Sequence, residues 1–279
     1  MKNILLSAAL CGLFLLAGCG ESKIDADEER GIKFSEDQKT LTKYNNRLKD
    51  EEYVIPDGIT AIGTYAFCGS DFKKVVIPNT VVSMGDSAFT GCKKLESIDI
   101  PNGVTTIGNY AFFNCELLKK VVIPNTVVSI GDNAFSNCIA LESIDIPGSV
   151  KKIGKEAFKT LHPDRSSSLG IVTLHEGLEE ISEEAFHYTR IKSIDIPGSV
   201  KKIEKYAFFG CKQLSTVTLH EGLEEIGYGA FVDAPIESIV IPRSVKKIGG
   251  KAFNKAKKVK VGKGTVFHET TFGCKIEYY

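Results

Sequence analysis

The sequence predicts a repeat solenoid built mainly from short β-strands, and three observations predict it. An Ala-Phe pair returns nine times, with Phe at 67, 89, 112, 135, 158, 186, 208, 231 and 253, so the intervals are 22, 23, 23, 23, 28, 22, 23 and 22 residues. An Ile-Pro pair precedes seven of these copies, from Ile55-Pro56 to Ile241-Pro242, and Leu174-His175 and Leu219-His220 hold its place in the other two. Each unit is also too short to stand alone. About 23 ordered residues lose on the order of 25–45 kcal/mol of backbone entropy, and a handful of apolar groups cannot offset that loss until a neighbouring coil covers both open faces. A period in this range therefore means stacked coils.

The unit is seen most clearly from Leu95 to Cys115, LESIDIPNGVTTIGNYAFFNC. Leu95, Ile98 and Ile100 have the spacing of a short strand, whose inward side chains alternate with outward Ser97 and Asp99. Pro101 ends that ladder because it lacks a backbone donor. Val104 and Ile107 form a second apolar pair, Gly108 allows a sharp turn, and Ala111, Phe112 and Cys115 complete the inward set. These residues resemble the BspA-like leucine-rich repeat, also called the treponemal type, with the pattern LxxIxIPxxVxxIGxxAFxxC. The resemblance runs from about Val54 to Val261. It implies a right-handed superhelix with short strands on the concave side and turns or short helical pieces at the Ala-Phe edge. It also implies a bacterial surface or secreted protein, with adhesion or host contact as the expected role. His175 and His220 in the place of Pro, and Leu161 in the place of Cys, depart from the pattern.

In chain order, residues 1–18 form a leader with one basic residue, Lys2, and an apolar core from Ile4 to Leu16. Leu16-Ala17-Gly18-Cys19 resembles the lipobox of bacterial lipoproteins, which implies cleavage before Cys19 and diacylglycerol on its thiol. A plain secretory leader is the alternative; the apolar run is short for a spanning helix. Gly20, in place of Asp, follows the cysteine, so the resemblance points to the outer membrane and a surface-exposed chain. Residues 19–31 are acidic and poor in apolar groups, as a flexible tether would be. Residues 32–53 are expected to cap the first coil, with a hairpin between Phe34 and Leu41, because an open strand edge recruits other chains. The solenoid spans 54–261, and 262–279, ending in Lys275-Ile276-Glu277-Tyr278, is expected to form a C-terminal cap. The one break in period falls at 159–170 and includes His162, Asp164 and Arg165, a projecting loop and a candidate contact site.

Composition narrows the function. Lys and Arg number 35, as do Asp and Glu, so a nucleic-acid partner is disfavoured. Cys92, Cys115, Cys138 and Cys211 each follow a repeat Phe by three residues, in a row that also holds Ser70, Leu161, Thr189, Ala234 and Ala256. Such a row calls for small buried groups rather than a metal or disulfides. Cys68 and Cys274 lie near opposite ends of the array and are not expected to pair. The histidines share no spacing with a nucleophile, there is no phosphate-binding glycine motif, and no enzyme activity or cofactor is indicated. His175 and His220, at equivalent repeat positions, are expected to be structural.

Charge shows finer order. Lys151-Lys152, Glu179-Glu180, Lys201-Lys202, Glu224-Glu225 and Lys246-Lys247 alternate in sign over five coils, which is either a solvated face or a device that penalises a slipped register. The outward strand positions are small and lack aromatic rings before the C-terminal cap, a poor basis for a binding hot spot. The Ala-Phe edge is richer: Tyr110 and Phe113 flank one Ala-Phe pair, and Tyr206 and Phe209 flank another four coils later. Asn133 with Ser136, and Glu156 with Lys159, occupy these places elsewhere, so the positions are expected to be exposed. The pairs either grip an extended partner or pack on their own coils. The reading is a surface-anchored solenoid for noncovalent protein binding, with a host extracellular protein among the candidate partners and membrane attachment through Cys19. A structural envelope lipoprotein without a dedicated ligand is the alternative; carbohydrate ranks behind both, since the chain has no Trp.

Overall fold

The computed structural model describes residues 22–161, 167–267, 272–274 and 276–279. The leader, Cys19, His162, Asp164 and Arg165 lie outside the described residues. The chain is a parallel β-solenoid of about ten turns, with the two-strand unit expected from the sequence. In the first strand of each unit, such as Ser143–Ile146, inward Ile144 and Ile146 alternate with exposed Ser143 and Asp145. The second strand is only two residues long, as in Thr106–Ile107, yet it forms the more continuous sheet. Eight such strands run in unbroken order from Thr106–Ile107 to Val266–Phe267. They are parallel and in register, Ile107 beside Ile130, Ile153, Ile181, Ile203, Ile226, Ile248 and Phe267. The first strands divide into sheets of four, two, two and three.

The Ala-Phe edge is made of turns, and these carry a third ladder. Each repeat Phe from Phe67 to Phe231 donates its N–H to the Ala carbonyl of the next coil, as in Phe112 to Ala134 and Phe135 to Ala157, both 2.7 Å. The residue before Ala takes a left-handed conformation in every coil, with φ between 54° and 62° at Tyr65, Ser87, Tyr110, Asn133, Glu156, Glu184, Tyr206, Gly229 and Lys251. That twist lets alternate N–H groups face the neighbouring coil, at a conformational cost that a single short unit could not sustain. Behind the ladder the nine Phe rings form one column, with centroids 4.9–5.3 Å apart and planes within 11° from Phe67 to Phe253. Parallel rings at that separation are offset, the arrangement their quadrupoles favour.

The C-terminal segment departs from the expected plan, and the N-terminal end keeps the expected hairpin between Phe34 and Leu41 but adds to it. Phe272 extends the column, 5.9 Å from Phe253, so the C-terminal segment is a further partial coil rather than a patternless cap. At the other end β1 (Lys33–Phe34) and β2 (Thr40–Lys43) form an antiparallel hairpin, and β2 pairs in parallel with Ala61–Ile62. Tyr44 then donates its N–H to Ala66 at 2.7 Å and tilts its ring against Phe67, which puts it at the head of the column. Residues 22–31 are not a flexible tether. Helix α1 (Lys23–Glu29) begins with a capping box in which Ser22 and Asp25 satisfy one another's backbone N–H. Its Asp27 is buried and accepts hydrogen bonds from Tyr53 Oη at 2.7 Å, Lys23 Nζ at 3.0 Å and Arg30 Nη1 at 3.2 Å.

The cysteine row is buried as expected, with one addition. Cys92, Cys115, Cys138 and Cys211 donate their S–H to Phe67, Phe89, Phe112 and Phe186 carbonyls of the preceding coil, at 3.0–3.2 Å. The thiols thus satisfy acceptors as well as fill space, and burial pushes Cys138 and Cys211 up to about 12. All are free, and Leu161 leaves the row: it is exposed where the inserted segment begins.

The alternating charges face one another in register, Lys152 beside Glu180, Glu180 beside Lys202, Lys202 beside Glu225 and Glu225 beside Lys247. Four of the cross-coil ion pairs close to 2.7–3.6 Å: Lys151–Glu179, Lys152–Glu180, Lys246–Glu224 and Lys247–Glu225. Reversing Glu179 and Glu180 to Lys places three lysine pairs in one column. We expect Tm to fall by on the order of 2–4 °C in low salt, and by less as salt is added. Thermal unfolding across a salt series measures this; an unchanged Tm in low salt removes the register role.

Candidate protein-binding surface

At Tyr110 and Tyr206 the left-handed residue before Ala carries a ring that meets the ring three residues later. Tyr110 and Phe113 meet in this way, edge to face, with centroids 5.6 Å apart, and Tyr110 stays exposed. Tyr206 and Phe209 make the same contact at 5.5 Å. The two pairs are otherwise unlike. Tyr110–Phe113 stands by itself, whereas Phe209 also packs on Tyr188 at 5.6 Å and His187 at 4.7 Å, and Tyr206 on Tyr228 at 5.5 Å. Three coils thus contribute His187, Tyr188, Tyr206, Phe209 and Tyr228 to one half-exposed aromatic cluster.

The edge between the two pairs is not uniformly exposed, contrary to the expectation from its polar residues. Asn133 and Ser136 are buried, because small side chains at these positions sink between larger neighbours, and Ser136 Oγ donates to the Lys159 carbonyl at 3.2 Å. Beyond them Lys159 bridges Glu156 at 3.3 Å and Glu184 at 2.7 Å. Burial works against ionisation of Glu184, but the bonds from Lys159 and His187 outweigh it and hold the carboxyl below its usual range. His187 Nδ1 lies 2.8 Å from Glu184 Oε2, while Nε2 is buried without a partner among the described residues. A neutral ring with its proton on Nδ1 fits that arrangement, and burial lowers the His187 pKa accordingly.

Beside the cluster the surface is indented. Two adjoining cavities, of about 220 and 450 Å³, share Arg190 and Gln213. Thr189 and Gly210 are buried in their floor, and Ser167, Ser168 and Gly170 come from the flank of the inserted segment. Tyr188 lies over Gly210 so closely that a Cβ there would meet its ring at 2.3 Å, which accounts for glycine at this point. Tyr188, Arg190, Gln213 and the second-cluster members His187 and Tyr228 were not evident from the sequence. The usable signal was the lone 28-residue interval, which marks where neighbouring coils stop matching.

The strand-end histidines are tied to carboxylates of the preceding coil. His175 Nε2 meets Asp145 and His220 Nε2 meets Asp195, each at 2.7 Å. The next residues, Glu176 and Glu221, accept backbone N–H bonds from Gly198 and Ser199, and from Arg243 and Ser244, at 2.9–3.0 Å. Those bonds hold both carboxyls below the usual range. Among the described residues no group of three His, Cys, Asp or Glu could hold a metal ion, and no helix is long and apolar enough to cross a membrane.

Comparison with known proteins agrees with this geometry. No curated protein matches the sequence. Among solved structures, a leucine-rich repeat protein from Bacteroides ovatus is 28% identical, with a TM-score of 0.73, and the match covers 88% of this chain and 69% of that one. The leucine-rich repeat protein of T. pallidum is 29% identical over 72% of this chain and 85% of its own, with a TM-score of 0.51. A leucine rich cell surface protein from Faecalibacterium prausnitzii shares the fold at 22% identity and a TM-score of 0.59, covering 88% of this chain and 92% of that one. The profile of the BspA type leucine rich repeat region matches six copies, over residues 42–162 and 164–260. With that match over most of its length, and with its stacked Ala-Phe coils, the chain belongs to the BspA-type leucine-rich repeat family.

Proposed function

We propose that this chain is a surface-anchored binding protein whose solenoid makes noncovalent contact with a protein partner, in adhesion or host interaction. The observation that carries the reading is the half-exposed cluster of His187, Tyr188, Tyr206, Phe209 and Tyr228 beside the indented turn of Arg190. Tyr and Arg are the residues that dominate protein–protein hot spots, and a rigid array holds them with little entropy left to lose on binding. The fold shared with a leucine rich cell surface protein supports a place on the cell exterior. Attachment is assigned to lipid on Cys19, since several acyl chains at about 0.8 kcal/mol per buried CH₂ anchor durably.

Protease shaving of intact cells, followed by binding measurements on the recovered partner, tests this. We expect shaving to remove the protein and binding to saturate. The variant with Tyr110, Phe113, Tyr206 and Phe209 all changed to Ser should lose capture while keeping a cooperative melt. Protection from protease together with self-association would favour a structural envelope role instead.

A further inference from the structure

We propose that the turn Thr189–Ile191 and its two flanking coils form a binding notch for an acidic peptide segment of a partner protein. The inference deepens the protein-binding reading and rests on it for its biological meaning. The first argument is shape. Ile191 follows Phe186 by five residues, whereas Leu169 follows Phe158 by eleven and Leu214 follows Phe208 by six. The shortest of three successive turns is recessed between longer neighbours, and the two adjoining cavities lie in that recess.

The second argument is charge. The column of residues just after the apolar anchor of each turn runs Lys73, Glu96, Lys119, Glu142, Gly170, Lys192, Ser215, Glu237, Lys257. Elsewhere in this column sign alternates and the lysines find carboxylates: Lys73 with Glu51 at 2.7 Å, Lys119 with Glu96 at 3.9 Å, Lys257 with Glu237 at 2.7 Å. Lys192 instead has Gly170 on one side and Ser215 on the other. Arg190 likewise stands between Ser168 and Gln213, and Lys212 between Thr189 and Ala234. Among the described residues none of these three cations has an ion pair. A molecule with balanced overall charge therefore concentrates uncompensated positive charge at this recess, with Glu142 as the single acid among the lining residues described.

That arrangement selects its occupant. The Arg190 guanidinium offers a planar fork to a carboxylate, Lys192 and Lys212 offer ammonium groups on either side, and Gln213 offers a neutral donor and acceptor. Ile171, 65% exposed, and Tyr188 supply apolar rims. An extended segment with glutamates or aspartates around one apolar residue satisfies all of these groups at once.

Fluorescence anisotropy on the intact chain tests the notch, with a short labelled peptide of glutamates around a central leucine and its glutamine counterpart as probes. We expect saturable binding of the acidic peptide, weakened by salt, and none of the neutral one. Arg190→Gln, Lys192→Gln and Lys212→Gln together should weaken binding by about tenfold or more, while Lys33→Gln, Lys39→Gln and Lys43→Gln should leave it unchanged. Gly170→Glu with Ser215→Glu sets a carboxylate on each side of Lys192. It should also weaken binding while the chain keeps a cooperative melt, because a Cβ at Gly170 meets no atom closer than 3.7 Å. Equal loss in the Lys33 set, no effect of the Arg190 set, or preference for a phosphorylated peptide over the acidic one would each overturn the assignment. Partner capture that survives the Arg190 set but fails in the aromatic variant would sink the notch and leave the protein-binding reading standing. Acidic-peptide binding that follows the predicted pattern without any cell-surface partner would do the reverse.

Discussion

Phe135→Ala is expected to destabilise the protein by about 3–5 kcal/mol, the range for removing a fully buried aromatic ring. Phe135 sits at the middle of the column, parallel to Phe112 at 5.1 Å and to Phe158 at 5.3 Å. Its loss opens a gap that neither neighbour can close, because the three backbone ladders fix the spacing of the coils on both sides. The effect is also expected to be longitudinal. Coils are coupled only to their neighbours, so weakening one interface lets the two halves unfold with different midpoints. Urea unfolding followed by circular dichroism measures both effects, and a single transition shifted by less than about 1 kcal/mol would show that the column carries little of the stability.

Asp27→Ala is expected to cost about 2–4 kcal/mol, because it leaves the buried Tyr53 hydroxyl without its acceptor and removes the buried carboxylate that two cations bond. Tyr53 is buried and loses the partner of its hydroxyl, and Lys23 and Arg30 lose theirs. Burial, the hydrogen bond to Asp27 and its charge all push the Tyr53 phenol well above its usual pKa, so it stays protonated and keeps its unmet donor. Arg30 retains Asp50, which also accepts from Tyr44 at 2.8 Å, so the loss should stop short of dismantling the cap. Tyr53→Phe, which removes donor and need together, should cost less than half as much. Thermal melts of the two variants decide this. Equal losses would mean that packing of α1, not its carboxylate, seals the first coil.

The column was legible in the sequence because Ala-Phe recurs at a nearly constant interval and nothing but stacking satisfies that pattern. The ends were not, since there the chain keeps the geometry with other residues. Tyr44 stands 23 residues before Phe67 but without Ala, and Phe272 stands 19 after Phe253. Helix α1 was masked by its acidic composition, although Ser22 and Asp25 already had capping-box spacing. The candidate site was half visible. Tyr206 and Phe209 could be named from their repeat positions, but Tyr188 and Arg190 could not, because their setting depends on unequal turn lengths in three coils. Asn133 and Ser136 show the opposite failure: their polarity suggested exposure, while their small size allowed burial.

Native-state hydrogen exchange on the ladder amides of Phe89, Phe112, Phe135, Phe158, Phe186 and Phe208 tests the stacked-coil account most directly. Each of these N–H groups bonds to an Ala carbonyl of the following coil at 2.7–2.8 Å. If coils are stable only through their neighbours, protection rises from both ends to a common maximum in the central coils, and Phe135→Ala lowers it on both sides of the substitution. Equal, low protection in every coil, with the effect of the substitution confined to its own turn, would show that the units stand independently.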